Sequence, residues 1–278
     1  MSRSDEVSIR ALDGGAARDA RDAVAVEEPL EIRLRAGGET RTLAITMRTP
    51  GNDLELAAGF ALGEGIVRSR AEIAEIVGCD DGSVRIGLTA STMPQTAAFE
   101  RHFAITSACG VCGRAELQAL SERIAPIASD LRIDTETLYA LPGRMRTAQR
   151  VFERTGGIHA AALFDTSGTL LAVREDVGRH NALDKLIGWA LLEGRDCSAT
   201  IVLVSGRASY ELAQKAACAR IPILCSVSAP SSLAIDLATE FGLTLVGFLR
   251  DRRANVYAGA DRIVSGALRS PETRVTSH

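Results

Sequence analysis

Between His159 and Leu249, short apolar runs alternate with amphipathic stretches in an order that leaves few architectures open. His159 to Phe164 and Thr169 to Arg174 read as strands around an Asp165–Gly168 turn; Thr200 to Val204, Ile221 to Val227 and Leu243 to Leu249 read as three more. Arg179 to Leu192 places Leu183, Leu186, Ile187 and Ala190 on one helical face and stops at Gly194. Ser209 to Arg220 and Ser231 to Phe241 are further helices, the last closed by Gly242. The later strands are apolar at successive rather than alternate positions, as in strands covered on both faces and paired in parallel. The β-β-α-β-α-β-α-β order predicts a three-layer α/β domain.

Upstream the pattern is less regular. Residues 1–26 mix charges with Ala and Gly without sustained periodicity and predict a disordered tail. Leu30 to Ala36 and Thr40 to Thr46 alternate around Gly37-Gly38 and predict a β-hairpin. Asn52 with Glu55 three residues on reads as a capping box opening a helix through Leu54, Ala57, Ala58 and Ala61, with Gly65 as its stop. A short helix over Ala71 to Val77, a turn at Asp80–Gly82 and a strand over Ser83 to Leu88 complete a small α/β unit. Next come a short strand at His102 to Thr106, a helix from Arg114 to Ile124, and a helix pair at Asp134–Tyr139 and Arg144–Arg154. The division expected is a tail at 1–26, a small N-terminal α/β unit at 27–106, a loop and linking helix at 107–130, a large α/β domain at 131–270, and a tail at 271–278.

Composition excludes several function classes. A net charge of -3 gives no general attraction to nucleic acid or anionic lipid, so any anion site must be local. The N-terminal stretch has no apolar core of a signal peptide, and no apolar run reaches bilayer length. A cytoplasmic location is expected, with no nucleic-acid or membrane partner.

Of the six cysteines, Cys79, Cys197, Cys218 and Cys225 stand isolated among apolar or small neighbours and read as filler. Cys109 and Cys112 differ, because two thiols two residues apart can ligate half a zinc site, cycle as a disulfide, or hold sulfur in transit. Zinc needs four ligands, and no second Cys-x-x-Cys or His pair completes the set. No metal site is expected. Gly110 and Gly113 predict a flexible loop, and the helix start at Arg114 favours a thiolate through its dipole and guanidinium.

Three other segments suit an anion. Ser205-Gly206-Arg207 follows one apolar strand and opens a helix, Ser226 to Ser231 does the same after the next, and Arg250, Arg252 and Arg253 follow the last. Each is weak alone, but on one sheet edge they would supply N–H donors, hydroxyls and guanidiniums to a polyphosphate. The turn Glu175-Asp176-Val177-Gly178-Arg179-His180-Asn181-Ala182 carries more polar groups than the helix cap Asp176 would provide, which favours a binding or positioning role.

Taken in order, several motifs resemble one family. They are Asp53-Leu54-Glu55-Leu56-Ala57-Ala58-Gly59-Phe60 with Glu64-Gly65-Ile66, Cys109-Gly110-Val111-Cys112-Gly113 and Thr155-Gly156-Gly157-Ile158-His159. Glu175 to Lys185, Ser205-Gly206-Arg207, Gly247-Phe248-Leu249-Arg250 and Asn255-Val256-Tyr257 complete the set. The chain resembles the FdhD family of formate dehydrogenase accessory sulfurtransferases from about Glu28 to Ala258. The resemblance implies an enzyme in which a cysteine desulfurase passes sulfur to the loop and Cys109 carries it as a persulfide, with Cys112 assisting or resolving the transfer. The acceptor it implies is the molybdenum bis-molybdopterin guanine dinucleotide cofactor, destined for formate dehydrogenase. Cofactor binding is expected at Phe248, Leu249, Arg250, Asp251, Arg252 and Arg253, with Arg207 and His180 contributing. A homodimer and a cytidine-deaminase-like larger domain are likewise implied.

Ser228-Ala229-Pro230-Ser231 departs mildly from the family's Ser-Ala-Pro-Thr and keeps the hydroxyl. Zinc deaminases need His-x-Glu at one helix start and Pro-Cys-x-x-Cys at a later one. Here those turns read Arg179-His180-Asn181 and Gly206-Arg207-Ala208-Ser209, so deamination is disfavoured. Two other readings remain at this level: a molybdenum-cofactor-binding chaperone that moves no sulfur, and a thiol–disulfide oxidoreductase.

Overall fold

The computed structural model of the protein describes residues 2–94, 117, 120, 121 and 124–265. It is a mixed α/β chain, as its strand and helix pattern predicts. The N-terminal residues differ from expectation. Strands β1 (Ser4–Asp13) and β2 (Ala16–Ala25) pair antiparallel along their full lengths where a disordered tail was expected. Gly14 and Gly15 both adopt positive φ between them, the geometry of a two-residue hairpin turn. Val7, Ile9 and Ala11 alternate with Ser8 and Arg10 in β1, but they face Asp22, Ala20 and Arg18 of β2, so the hairpin has no continuous apolar face to announce it. Its strands lie against helix α3 (Arg150–Thr155), and Arg3 donates to the Asn52 side-chain oxygen.

The N-terminal unit follows. Strands β3 (Glu28–Ala36) and β4 (Glu39–Arg48) form the expected hairpin, joined by β5 (Ile73–Gly78) and β6 (Val84–Leu88) in the order β4-β3-β6-β5. The segment read as a helix over Ala71 to Val77 is instead a 3-10 turn at Arg70–Glu72 running into β5. Antiparallel pairing with β6 overrides its local helical preference. Helix α1 (Asp53–Gly63) packs Leu56, Ala57 and Ala61 onto this sheet beside Leu30, Ile32, Leu34 and Ile86. Its start is not a capping box. Asn52 is left-handed at φ 61 and makes no cap bond, while Glu55 reaches Arg174 with bonds of 2.5 and 2.8 Å.

Downstream, the large sheet has the order β13-β12-β11-β10-β8-β9, built from β8 (His159–Phe164), β9 (Leu170–Asp176), β10 (Ile201–Val204), β11 (Ile223–Ser226), β12 (Thr244–Arg250) and β13 (Arg253–Ala258). β10, β11 and β12 are parallel, as their unbroken apolar runs predict, and β8, β9 and β13 pair antiparallel. Helices α4 (Arg179–Leu192), α5 (Tyr210–Cys218) and α6 (Ser232–Glu240) cover one face through Leu183, Leu186, Leu212 and Leu237. Helix α2 (Thr135–Ala148) covers the other with Leu138, Leu141 and Met145 against Phe164, Leu203 and Val246. The result is three layers. Short β7 (Ile133–Asp134) and β14 (Ile263–Val264) pair beside it.

The two units are fused through helices rather than linked. A Cβ on Gly59 of α1 would lie 1.9 Å from the Asp184 carbonyl oxygen, and one on Gly188 of α4 would lie 1.8 Å from that of Glu55. Only glycine lets the two backbones touch there. Two buried ion pairs flank the crossing: Lys185 with Asp176 at 2.7 Å, and Lys215 with Asp184 at 2.8 Å. Burial pushes the Asp184 carboxyl up to about 6, against the pull of Lys215.

Candidate functional site

Three parallel strands point their carboxyl ends at one edge of the large sheet, where anion sites in α/β folds form. The antiparallel partners bring more to it. Val204 at the end of β10 pairs with Ala161, so the start of β8 at His159 lies on the same edge; His159 in turn pairs with Asp176, bringing the end of β9 there too. Helices α4 and α5 begin at this edge with no side-chain cap bond among the described residues, and a helix start turns its N–H groups and positive dipole end toward a ligand. In α6, by contrast, the Ser231 hydroxyl accepts from the Ala234 N–H at 3.3 Å.

Side chains converge between these helix starts. The Ser205 hydroxyl accepts the Ala160 N–H at 2.9 Å and lies 3.4 Å from His159 Nδ1. Gly206 sits under the same imidazole, with the Arg179 side chain beside it. Arg179 Nε is buried without a hydrogen-bond partner among the described residues. Burial, and after it the Arg179 charge, holds His159 below the usual imidazole range, so its ring is neutral at pH 7. His180 Nε2 contacts Glu211 Oε2 at 2.7 Å and Ser209 Oγ at 3.3 Å. That bond keeps the Glu211 carboxyl below its ordinary range. Arg207 is exposed and makes no ion pair among the described residues.

The last strand supplies a strained element. Phe248 is half-buried at φ 53, inside a register shift between β12 and β13. Its N–H donates to the Ser228 carbonyl at 3.1 Å, which ties the bulge to the β11–α6 turn. A Cβ on Gly247 would meet Pro230 and Tyr257 at 2.9 Å, so only glycine permits this approach. A left-handed non-glycine residue costs about 1–3 kcal/mol, and such strain clusters at functional sites.

The residues expected to bind a cofactor therefore separate. His180, Arg207 and Phe248 stand at the edge. Leu249 is fully buried on the α2 side. Arg250 and Arg253 are exposed and pair across the hairpin, whose turn residues Asp251 and Arg252 both take positive φ. Arg252 turns back to Glu136 at 2.6 Å and lies over the Tyr139 ring. Cys109 and Cys112, the expected persulfide loop, lie outside the described residues, as does the strand expected at His102–Thr106. Of the linking helix, Leu117, Leu120 and Ser121 are helical, and both leucines are buried in the core cluster that also holds side chains of α4, α5 and α6.

The polar turn before α4 divides by role. Asp176 is not the cap, which falls at Gly178. Its buried carboxylate accepts from Thr49 N at 3.1 Å, Gly178 N at 2.9 Å and Asn181 Nδ2 at 3.1 Å. Asn181 also donates to the Met47 carbonyl at 2.7 Å, and Lys185 to that of Thr49 at 2.7 Å. Glu175 accepts the Val151 and Phe152 N–H groups, capping α3. Asp176, Asn181 and Lys185 anchor the turn to the N-terminal unit and Glu175 anchors it to α3, while Arg179 and His180 face the edge.

The grouping of His159, Ser205, Ser209 and Glu211 was not legible in sequence, since it depends on the antiparallel pairing of β8. The FdhD/NarQ family model matches residues 25–264. The chain belongs to the FdhD/NarQ family. It is 52% identical over 254 residues to the sulfur carrier protein FdhD of Mycolicibacterium paratuberculosis, covering 87% of this chain and 92% of that one. It is 44% identical over 259 residues to the sulfur carrier protein FdhD of Thermoplasma acidophilum, covering 88% of each. A crystal structure from Desulfotalea psychrophila, described as that of a formate dehydrogenase accessory protein, superposes with a TM-score of 0.76 at 28% identity. That match covers 95% of this chain and 100% of the other. No helix among the described residues is long and apolar enough to cross a membrane.

Proposed function

We propose that this member of the FdhD/NarQ family is a sulfurtransferase that carries sulfur as a persulfide on Cys109. In the first step the Cys109 thiolate attacks the terminal sulfur of a cysteine desulfurase persulfide, and the desulfurase cysteine departs as a thiolate. In the second, the Cys112 thiolate attacks Cys109 Sγ, expelling the carried sulfur as hydrosulfide and leaving a Cys109–Cys112 disulfide for cellular thiols to reduce. The acceptor is the molybdenum bis-molybdopterin guanine dinucleotide of formate dehydrogenase, held as cargo at the strand-end edge.

The observation that carries the cargo half of this reading is the edge itself. It gathers two helix starts without a side-chain cap and Arg179 with a buried Nε that has no partner, both among the described residues, with exposed Arg207 and the hydroxyls of Ser205 and Ser209. Such a set suits a pyrophosphate, and the half-buried Phe248 ring offers an aromatic surface to a base. Guanosine diphosphate is the probe for this half: titrated into the full chain, it binds, and Arg207→Ala weakens it. Absence of binding removes the edge from the cargo role.

A further inference from the structure

At the far ends of α4 and α5 the surface holds a groove distinct from the strand-end edge. Helix α4 starts at that edge, and its 14 residues carry the chain about 20 Å away before Arg195. One cavity there, of about 290 Å³, has a floor of Leu62, Ile187 and Leu191. An adjoining cavity of about 210 Å³ shares Leu62 and continues past Ile124.

Four guanidiniums ring this floor, from three separate segments: Arg68 and Arg70 before β5, Arg195 after α4, and Arg220 after α5. All four are exposed, and none makes an ion pair among the described residues. Two are held in place: Arg70 donates to the Ile73 carbonyl at 2.5 Å, and Arg195 stacks over Trp189 at 4.7 Å. The lining carboxylate, Asp196, accepts bonds of 2.8 Å from the Ser198 N–H and hydroxyl, and these, with a smaller pull from the Arg220 charge, hold it below the ordinary carboxylate range. Arg220 occupies a left-handed position at φ 58 just past α5, where glycine is the usual choice.

We propose that this groove docks an extended acidic segment of a partner protein. Its carboxylates would meet the four arginines, and its intervening apolar side chains would lie on the Leu62–Ile187–Leu191 floor. The local backbone disfavours a compact phosphate. Phosphate sites use helix N-termini, whereas α4 and α5 present their carbonyl ends here. Carboxylates spaced along a chain can each reach one guanidinium without crowding those carbonyls. Arginine beside an apolar floor is also the composition of interface centres.

The test is fluorescence anisotropy on the full chain with a labelled peptide of alternating Glu and Leu, against its twin with Gln for Glu. The Glu peptide binds at least about tenfold tighter at low ionic strength, and added salt weakens it. Arg68→Glu with Arg220→Glu weakens it by about tenfold or more, while Arg154→Glu on a remote exposed surface changes it less than about twofold. Arg68→Gln with Arg220→Gln, which only removes charge, gives an intermediate loss and serves if the reversal does not fold. Equal binding of the twin peptides, or indifference to both double changes, overturns the proposal. Displacement of the peptide by micromolar inorganic pyrophosphate also overturns it and makes the groove a phosphate site.

Discussion

Replacing Lys185 with Met tests how the strand-end edge is held in place. Lys185 and Asp176 are 1% and 0% exposed with 2.7 Å between charges, so Lys185→Met leaves a carboxylate buried without its cation. Removing one partner of a buried pair costs about 3–5 kcal/mol. The Asp176 carboxylate keeps three N–H donors, from Thr49, Gly178 and Asn181, which places the loss near the lower end, at about 3 kcal/mol. Lys185→Met also removes the bond to the Thr49 carbonyl. Adding Asp176→Asn discharges the stranded carboxylate and recovers at least about 1 kcal/mol. Urea unfolding followed by circular dichroism, with unchanged slopes, measures both values. A single variant within about 1 kcal/mol of the parent, or a double variant no more stable than the single, refutes the view that this pair fastens the turn before α4.

Gly59→Ala places a methyl 1.9 Å from the Asp184 carbonyl oxygen, so it destabilises by at least about 1–3 kcal/mol despite alanine's helix preference, read as a lower melting temperature. His159 titrates below 6.5 by NMR, and Arg179→Ala raises its midpoint. Because the folded state holds this proton less tightly than the unfolded chain, stability falls as pH drops through the window below 6.5; His159→Gln flattens that slope in pH-dependent urea melts. Arg207→Ala weakens guanosine diphosphate binding by about tenfold by calorimetry. Arg252→Ala, already engaged by Glu136 and Tyr139, weakens it by less than about threefold.

Much of the large domain was legible because its cues are local. The Arg179–Leu192 helix coincides with its apolar face, and the unbroken apolar runs of β10, β11 and β12 announced parallel pairing. The failures came where distant partners decide. Ala71 to Val77 has helix-forming residues, yet the β6 backbone claims them. Asn52 and Glu55 have the spacing of a cap, but Arg3 and Arg174 take their side chains. The β1–β2 hairpin lacks a continuous apolar face, leaving only Gly14-Gly15 to mark its turn. At the site, Arg207 and Phe248 were recognisable from their strand-end motifs. The neutral His159 beside Ser205, and Glu211 against His180, required the antiparallel strand and the two helix starts to be assembled first. Asp176 and Lys185 share a polar motif with Arg179 and His180 because one short turn both binds the N-terminal unit and opens α4 at the edge.

The sulfur carrier role rests most directly on one cysteine. Incubating the full chain with a cysteine desulfurase and cysteine, then mapping the modified peptide by mass spectrometry, should place one added sulfur atom on Cys109. Cys109→Ala should carry none and should leave formate dehydrogenase inactive. No sulfur on Cys109 in the parent chain, together with full maturation of formate dehydrogenase by Cys109→Ala, contradicts the account.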